Sequence, residues 1–134
     1  MLETVSALFV APDRKVLLGL RAVWKRAWPG HWDAIGGRIE PGEAREAALI
    51  RECWEEVGLT PTRYQLVLSE AERFPERNGA ALHHIYVVSA WEGGDAVNLV
   101  DEHDEIRWFS LDEMAALPNL TIPDLITLVR ASLR

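Results

Sequence analysis

Apolar residues recur along the chain with two periods, and the changes between them outline the expected elements. Residues 4–11 (TVSALFVA) and 16–20 (VLLGL) read as strands around a turn at Pro12-Asp13-Arg14-Lys15. A loop rich in Trp, Pro and Gly follows at 24–32, then a short strand-like run at 33–37 that ends on a glycine pair. Pro41-Gly42 signals a turn, and residues 43–57, with Gly58 just past their end, form the clearest predicted helix. There Ala47, Ile50, Trp54 and Val57 fall at i, i+3, i+7 and i+10, which predicts that they share the packed face. Residues 64–74 and 82–91 read as strands joined by a turn at 75–79, and Gly93-Gly94 turns the chain again. A last strand at 106–110, a short helix at 111–117 and an amphipathic helix at about 122–133 complete the pattern. Helices interspersed with mixed strands predict an α/β (α+β) domain over residues 1–134, its mixed sheet sandwiched between helices.

Composition narrows the function. No run approaches the roughly 18 apolar residues that cross a bilayer, and Met1-Leu2-Glu3-Thr4 lacks the basic-then-apolar start of a signal peptide. A cytoplasmic protein with no membrane partner is the expectation. Cys53 is the single cysteine, which excludes an internal disulfide and a multi-cysteine zinc site. The formal charge is −7, which disfavours long nucleic acids because phosphate neutralisation needs a basic surface. Residues 40–56 and 101–105 hold ten of the 21 acids and two bases, a local charge of −8, so the remainder is nearly neutral. Residues 13–38, by contrast, carry six bases and two acids. That basic stretch suits either a polyphosphate or an ordinary solvated surface.

Within the predicted helix, Glu52, Glu55 and Glu56 stand at i, i+3 and i+4, on the side expected to lie opposite the packed face. Such a cluster is either a solvated acidic face, with Arg51 paired to Glu55, or an anchor for a hard divalent cation. The surrounding spacing decides between them. From Gly37 the chain runs five residues to Glu43, then seven to Arg51-Glu52-Cys53-Trp54-Glu55-Glu56-Val57-Gly58-Leu59. This resembles the Nudix box, G-x5-E-x7-R-E-U-x-E-E-x-G-U with U a bulky apolar residue. All seven fixed residues are present, a coincidence on the order of 10⁻⁶ at ordinary composition. Cys53 fills the first U as a small hydrophobe. Trp32-Asp33-Ala34-Ile35-Gly36-Gly37 is similar to the strand entering such boxes, with Ile35 where proline is common. Residues 102–114 resemble the late strand-and-helix segment of MutT-type members.

The resemblance implies the Nudix fold and a Mg²⁺-dependent pyrophosphohydrolase, with Mn²⁺ as a substitute. The substrate would be a nucleoside triphosphate, damaged ones included, or another nucleoside diphosphate-linked compound, cleaved by water attack on phosphorus. Glu52, Glu55, Glu56 and the Gly36 carbonyl would hold metal, and Glu52 would also position or deprotonate the water. Arg51 would orient one of these glutamates, while Gly37, Glu43 and Gly58 would shape the box. A further acid from the late loop completes the site in many relatives, and here Glu105 aligns best with Glu102 second. Asp33 stands where some nucleotide-sanitising relatives contact the base. Arg21, Arg38 and Trp32 are further candidates for substrate binding, and one of Trp24, Trp28 and Trp32 for base stacking. His83 and His84 adjoin in a strand, so one packs and the other is exposed. Nudix domains often dimerise, so the resemblance is compatible with a homodimer, while the residues themselves do not fix the oligomeric state. The competing reading is a Nudix-fold nucleotide-binding or regulatory module that has lost catalysis. Such modules typically show damaged boxes, whereas every acid is intact here.

Overall fold

The structure, a computed structural model, describes residues 1–133; Arg134, the last residue of the expected domain, lies outside the described residues. Among the described residues seven strands form two sheets. β1 (Leu2–Phe9), β4 (Ile35–Arg38), β5 (Thr60–Ala71) and β6 (Ala81–Glu92) build a mixed sheet in the order β4-β1-β6-β5. In it β1 and β6 run parallel and the other pairs antiparallel. β2 (Val16–Arg21), β3 (Trp32–Asp33) and β7 (His103–Phe109) form an antiparallel sheet in the order β3-β2-β7. The first two strands therefore separate after a single bridge between Val10 and Val16, each entering a different sheet.

Strict alternation places the core on both faces of the strands. Ala7, Phe9, Leu17, Tyr86 and Val88 join Leu49, Cys53 and Val57 of helix α1 (Arg45–Val57) in one buried cluster. Their neighbours Leu8, Val10, Val16, Leu18, Ile85 and Val87 face the other way. There they meet Met114 of α3 (Leu111–Ala115) and Leu125 and Val129 of α4 (Leu125–Ser132). Ser110 caps α3 with a reciprocal bond to Glu113. A short helix, α2 (Pro75–Asn78), occupies the β5–β6 connection. No helix among the described residues is long and apolar enough to cross a membrane.

Helix α1 differs from its predicted facing. Its buried residues are Ala48, Leu49, Cys53, Glu56 and Val57, whereas Trp54 is 60% exposed and Ala47 is exposed. The reason is steric. Small side chains at Ala48 and Cys53 let the helix lie close on β4 and β1, and the bulkier Trp54 is turned outward. The acids are consequently beside the packed stripe rather than opposite it, and Glu56 itself is 4% exposed.

Candidate active site

The turn between β4 and α1 brings the box together. The helix closes at Gly58, whose φ of 73° is left-handed and whose N–H donates to the Trp54 carbonyl at 3.1 Å. From the middle of the helix Arg51 reaches back to organise the loop–helix junction. Its guanidinium donates to Glu43 at 2.8 and 2.9 Å, to Glu52 at 2.9 Å, to Glu55 at 3.2 Å and to the Arg38 carbonyl at 2.9 Å. These contacts place Glu43 at the loop–helix junction and pin Glu52 over β4.

Two glycines make this approach possible. A Cβ on Gly37 would overlap the Glu52 carboxylate, and one on Gly36 would collide with the Val5 carbonyl of β1. Gly36 and Gly37 pair with Ser6 and Val5 in the sheet, so neither can retreat.

The electrostatics follow from this crowding. Burial pushes the Glu52 carboxyl up to about 7, helped by the Glu56 and Glu55 charges and opposed by the Arg51 hydrogen bond. The Arg51 hydrogen bond holds Glu43 down at about 2. Three carboxylates offer hard oxygen donors, and the charge crowding at Glu52 is what a divalent cation would relieve. The donor set therefore fits Mg²⁺ or Mn²⁺. Among the described residues no group of three or more His, Cys, Asp or Glu side chains converges on one point. Arg51 engages Glu52 and Glu55, and His103 engages Glu56 at 2.8 Å.

These ionisations predict a pH profile for the metal-free protein. Glu43, and Glu72 (also at about 2), bind fewer protons folded than unfolded, so their stability is present above about pH 4.3 and is lost as pH falls toward 2. Glu52 has the opposite sign: stability is lost as pH rises from about 4.3 through 7. Thermal melts should therefore peak near pH 4–5 without metal. A divalent cation held by these carboxylates, at about 100 times its Kd, would add about 2.7 kcal/mol above pH 7. A melting temperature that climbs steadily to pH 8 without metal would contradict this assignment.

The acids open into a cavity of about 850 Å³, whose wall includes Gly36, Gly37, Arg38, Glu52, Glu55 and Glu56 at one end. Asp33 is on the same wall; it accepts from the Thr121 hydroxyl at 2.7 Å and the Ala34 N–H at 2.8 Å. Arg21, also at the wall, stands 3.6 Å from Asp33 and donates to the Ala27 carbonyl. Trp32 is placed differently from its expected role. It is 6% exposed, packs edge-on against Phe109 and lies under the Arg107 guanidinium, so it is core. Of the three tryptophans in the loop, Trp28 reaches the cavity, and Trp24 is 63% exposed to solvent.

The two late-loop acids also exchange positions relative to expectation. Glu105 is paired with Arg107 at 2.6 Å away from the cavity wall, whereas Glu102 lines it and pairs with Lys25 at 3.2 Å. A bulge explains the exchange: Glu105 opposes Leu20 but His103 opposes Arg21, so Asp104 is an extra residue in β7. The bulge turns His103 to the cavity side, where alternation alone would have left it facing with Glu105.

The cavity wall also holds a polar network that sequence spacing did not signal. Burial raises Glu72, yet bonds from the Trp28 indole, the Phe74 N–H, His83 and Asn78 outweigh it and hold the carboxyl at about 2. His83 also meets Thr4 at 2.7 Å. Its neighbour His84 is the buried one of the pair, bonded to Ser69 and Glu3. These partners come from strands β1, β5 and β6, the β2–β3 loop and the β5–β6 connection, so no local spacing signals them.

Comparison with known proteins identifies the fold and the family. The curated NAD-capped RNA hydrolase NudC of Chromobacterium violaceum is 34% identical over 95 residues, 71% of this chain and 33% of that protein. The chain thus spans about a third of the length of the NudC relatives it matches. The CTP pyrophosphohydrolase of Escherichia coli K12 is 32% identical over 120 residues, covering 88% of this chain and 82% of that one. Among solved structures, the MutT protein of Methanosarcina mazei Go1 superposes with a TM-score of 0.83 at 22% identity, over 99% of this chain and 95% of that one. The family model for the NUDIX domain matches residues 2–128, and with the helix, glycine pair and acids arranged as above the chain belongs to the NUDIX family.

Proposed function

We propose that the protein is a Mg²⁺-dependent pyrophosphohydrolase acting on a nucleoside triphosphate or another nucleoside diphosphate-linked compound. The observation that carries this reading is the convergence of Arg51, Glu52 and the Gly36-Gly37 pair at the mouth of a cavity large enough for a nucleotide. The 32% identity to a CTP pyrophosphohydrolase supports the reaction class.

Glu52, Glu55, Glu56 and the Gly36 carbonyl would hold the cation, which screens the polyphosphate and polarises the attacked phosphoryl oxygen. Every other step belongs to the chain. Glu52, held by Arg51, takes a proton from the attacking water as the new P–O bond forms. The bridging P–O bond then breaks, and its electron pair leaves with the departing phosphate. Arg38 and Arg26 at the cavity wall provide charge for the phosphates. Asp33 can accept from a base amine or ring N–H.

Trp28 supplies the stacking surface in this reading. Its backbone takes φ = 51°, a left-handed conformation costly for a tryptophan, and is held there by bonds from its N–H to Asn78 and from its indole to Glu72. Base stacking contributes about 1–3 kcal/mol. Trp28→Ala should raise KM about tenfold or more with little change in kcat; an unchanged KM would remove Trp28 from the substrate site.

A nucleotide panel with Mg²⁺, with both products of each substrate quantified, tests the function and separates triphosphates from diphosphate derivatives. Turnover that disappears on chelation is expected. No turnover with Mg²⁺ or Mn²⁺ on any member would contradict the reading.

A further inference from the structure

We infer that His103 is a positioning residue that sets the Glu56 carboxylate for the divalent cation, seated for that task by Gly19. The inference rests on the metal-site reading above.

Five observations converge on it. The His103 Nε2 lies 2.8 Å from Glu56, and both side chains are buried, at 5% and 6% exposure. The 2.8 Å geometry is that of an Nε2–H donating to a Glu56 carboxyl oxygen, which assigns the ring proton to Nε2. Nδ1 is buried with no hydrogen-bond partner among the described residues, so the contact with Glu56 is the ring's one polar anchor there. The ring is pressed against Gly19 of the neighbouring strand, where a Cβ would come within 2.7 Å of Nδ1. No larger residue at position 19 leaves the imidazole where it is.

The backbone carrying the ring is fixed as well. The Asn98 side chain donates to the His103 carbonyl at 2.8 Å, and the Ala22 N–H donates to the Glu102 carbonyl at 2.9 Å. The same loop docks on the end of α1, where the Leu99 N–H donates to the Glu56 carbonyl at 2.9 Å. Finally, the Asp104 bulge gives His103 this direction. One Glu56 oxygen is thus committed to the imidazole, which fixes the carboxylate's rotation and leaves its other oxygen for a cation. Partners that orient a metal's ligands in this way typically contribute 10–100-fold in affinity.

Titration of the full chain with MnCl₂ alone, followed by electron paramagnetic resonance or calorimetry, is the test. His103→Leu should weaken Mn²⁺ binding 10–100-fold. His103→Gln, whose amide N–H can replace Nε2–H, should restore binding to near wild type. Gly19→Ala keeps the imidazole but displaces it, and should weaken binding as His103→Leu does; it decides the matter if His103→Leu does not fold. Imidazole ¹⁵N spectra should show His103 protonated on Nε2. Wild-type Mn²⁺ affinity in folded His103→Leu, or in Gly19→Ala, overturns the inference, as does a ring protonated on Nδ1. Loss of binding in Glu56→Gln alongside retention in His103→Leu sinks this inference alone, whereas retention in both also removes the metal-site reading.

Discussion

Glu52→Gln is expected to lower turnover by about 10²–10⁴-fold while making the metal-free protein more stable at pH 8. The first effect removes the group that takes the water's proton, and the magnitude is that of a positioned general base. The second follows from burial. Burial beside β4, with the Glu56 and Glu55 charges, pushes the Glu52 carboxyl up to about 7, so ionising it at pH 8 works against folding. A neutral amide of the same shape retains an oxygen for Arg51 and has no such cost. The stability gain should shrink below pH 5, where the wild-type carboxyl is already protonated. Activity loss without any gain in melting temperature at pH 8 would show that Glu52 is not held at this ionisation cost.

Gly36→Ala and Gly37→Ala are expected to fail in different ways, although the residues adjoin. At Gly36 the new methyl meets the Val5 carbonyl, part of the β1 backbone in the mixed sheet. Backbone there cannot move without breaking the β1–β4 ladder. A loss of about 3 kcal/mol is expected, near the upper end of overpacking costs. That loss corresponds to a drop in melting temperature of roughly 10 °C. At Gly37 the methyl meets the Glu52 carboxylate, the far end of a flexible side chain. The fold should survive, with Glu52 displaced from Arg51 and turnover reduced at least as far as in Glu52→Gln. Equal melting temperatures for the two variants would contradict this division.

That contrast also shows what the sequence could convey. The box was legible because its parts are local: a turn, one helix and the spacing i, i+3, i+4 require no long-range pairing. The strand positions were legible from period-two alternation. The facing of α1 was not, because bulk and hydrophobicity favoured Ile50 and Trp54 while close approach to the sheet selected Ala48 and Cys53. Trp32 read as a loop aromatic, yet its ring faces Phe109 across sheet neighbours distant in the chain. The order of Glu105 and Glu102 depended on one extra residue in β7, which no alternation pattern reveals. The Glu72 network joins positions as far apart as the 79 residues between Thr4 and His83, so only the folded chain assembles it.

The account centres on hydrolysis carried out at the α1 carboxylates. Its most direct test is phosphate and pyrophosphate release from the nucleotide panel with Mg²⁺, by the wild-type protein and by folded Glu56→Gln side by side. The account predicts turnover by the wild type and none above background by the variant. Equal turnover by the two proteins, or none by the wild type on any substrate, would contradict it.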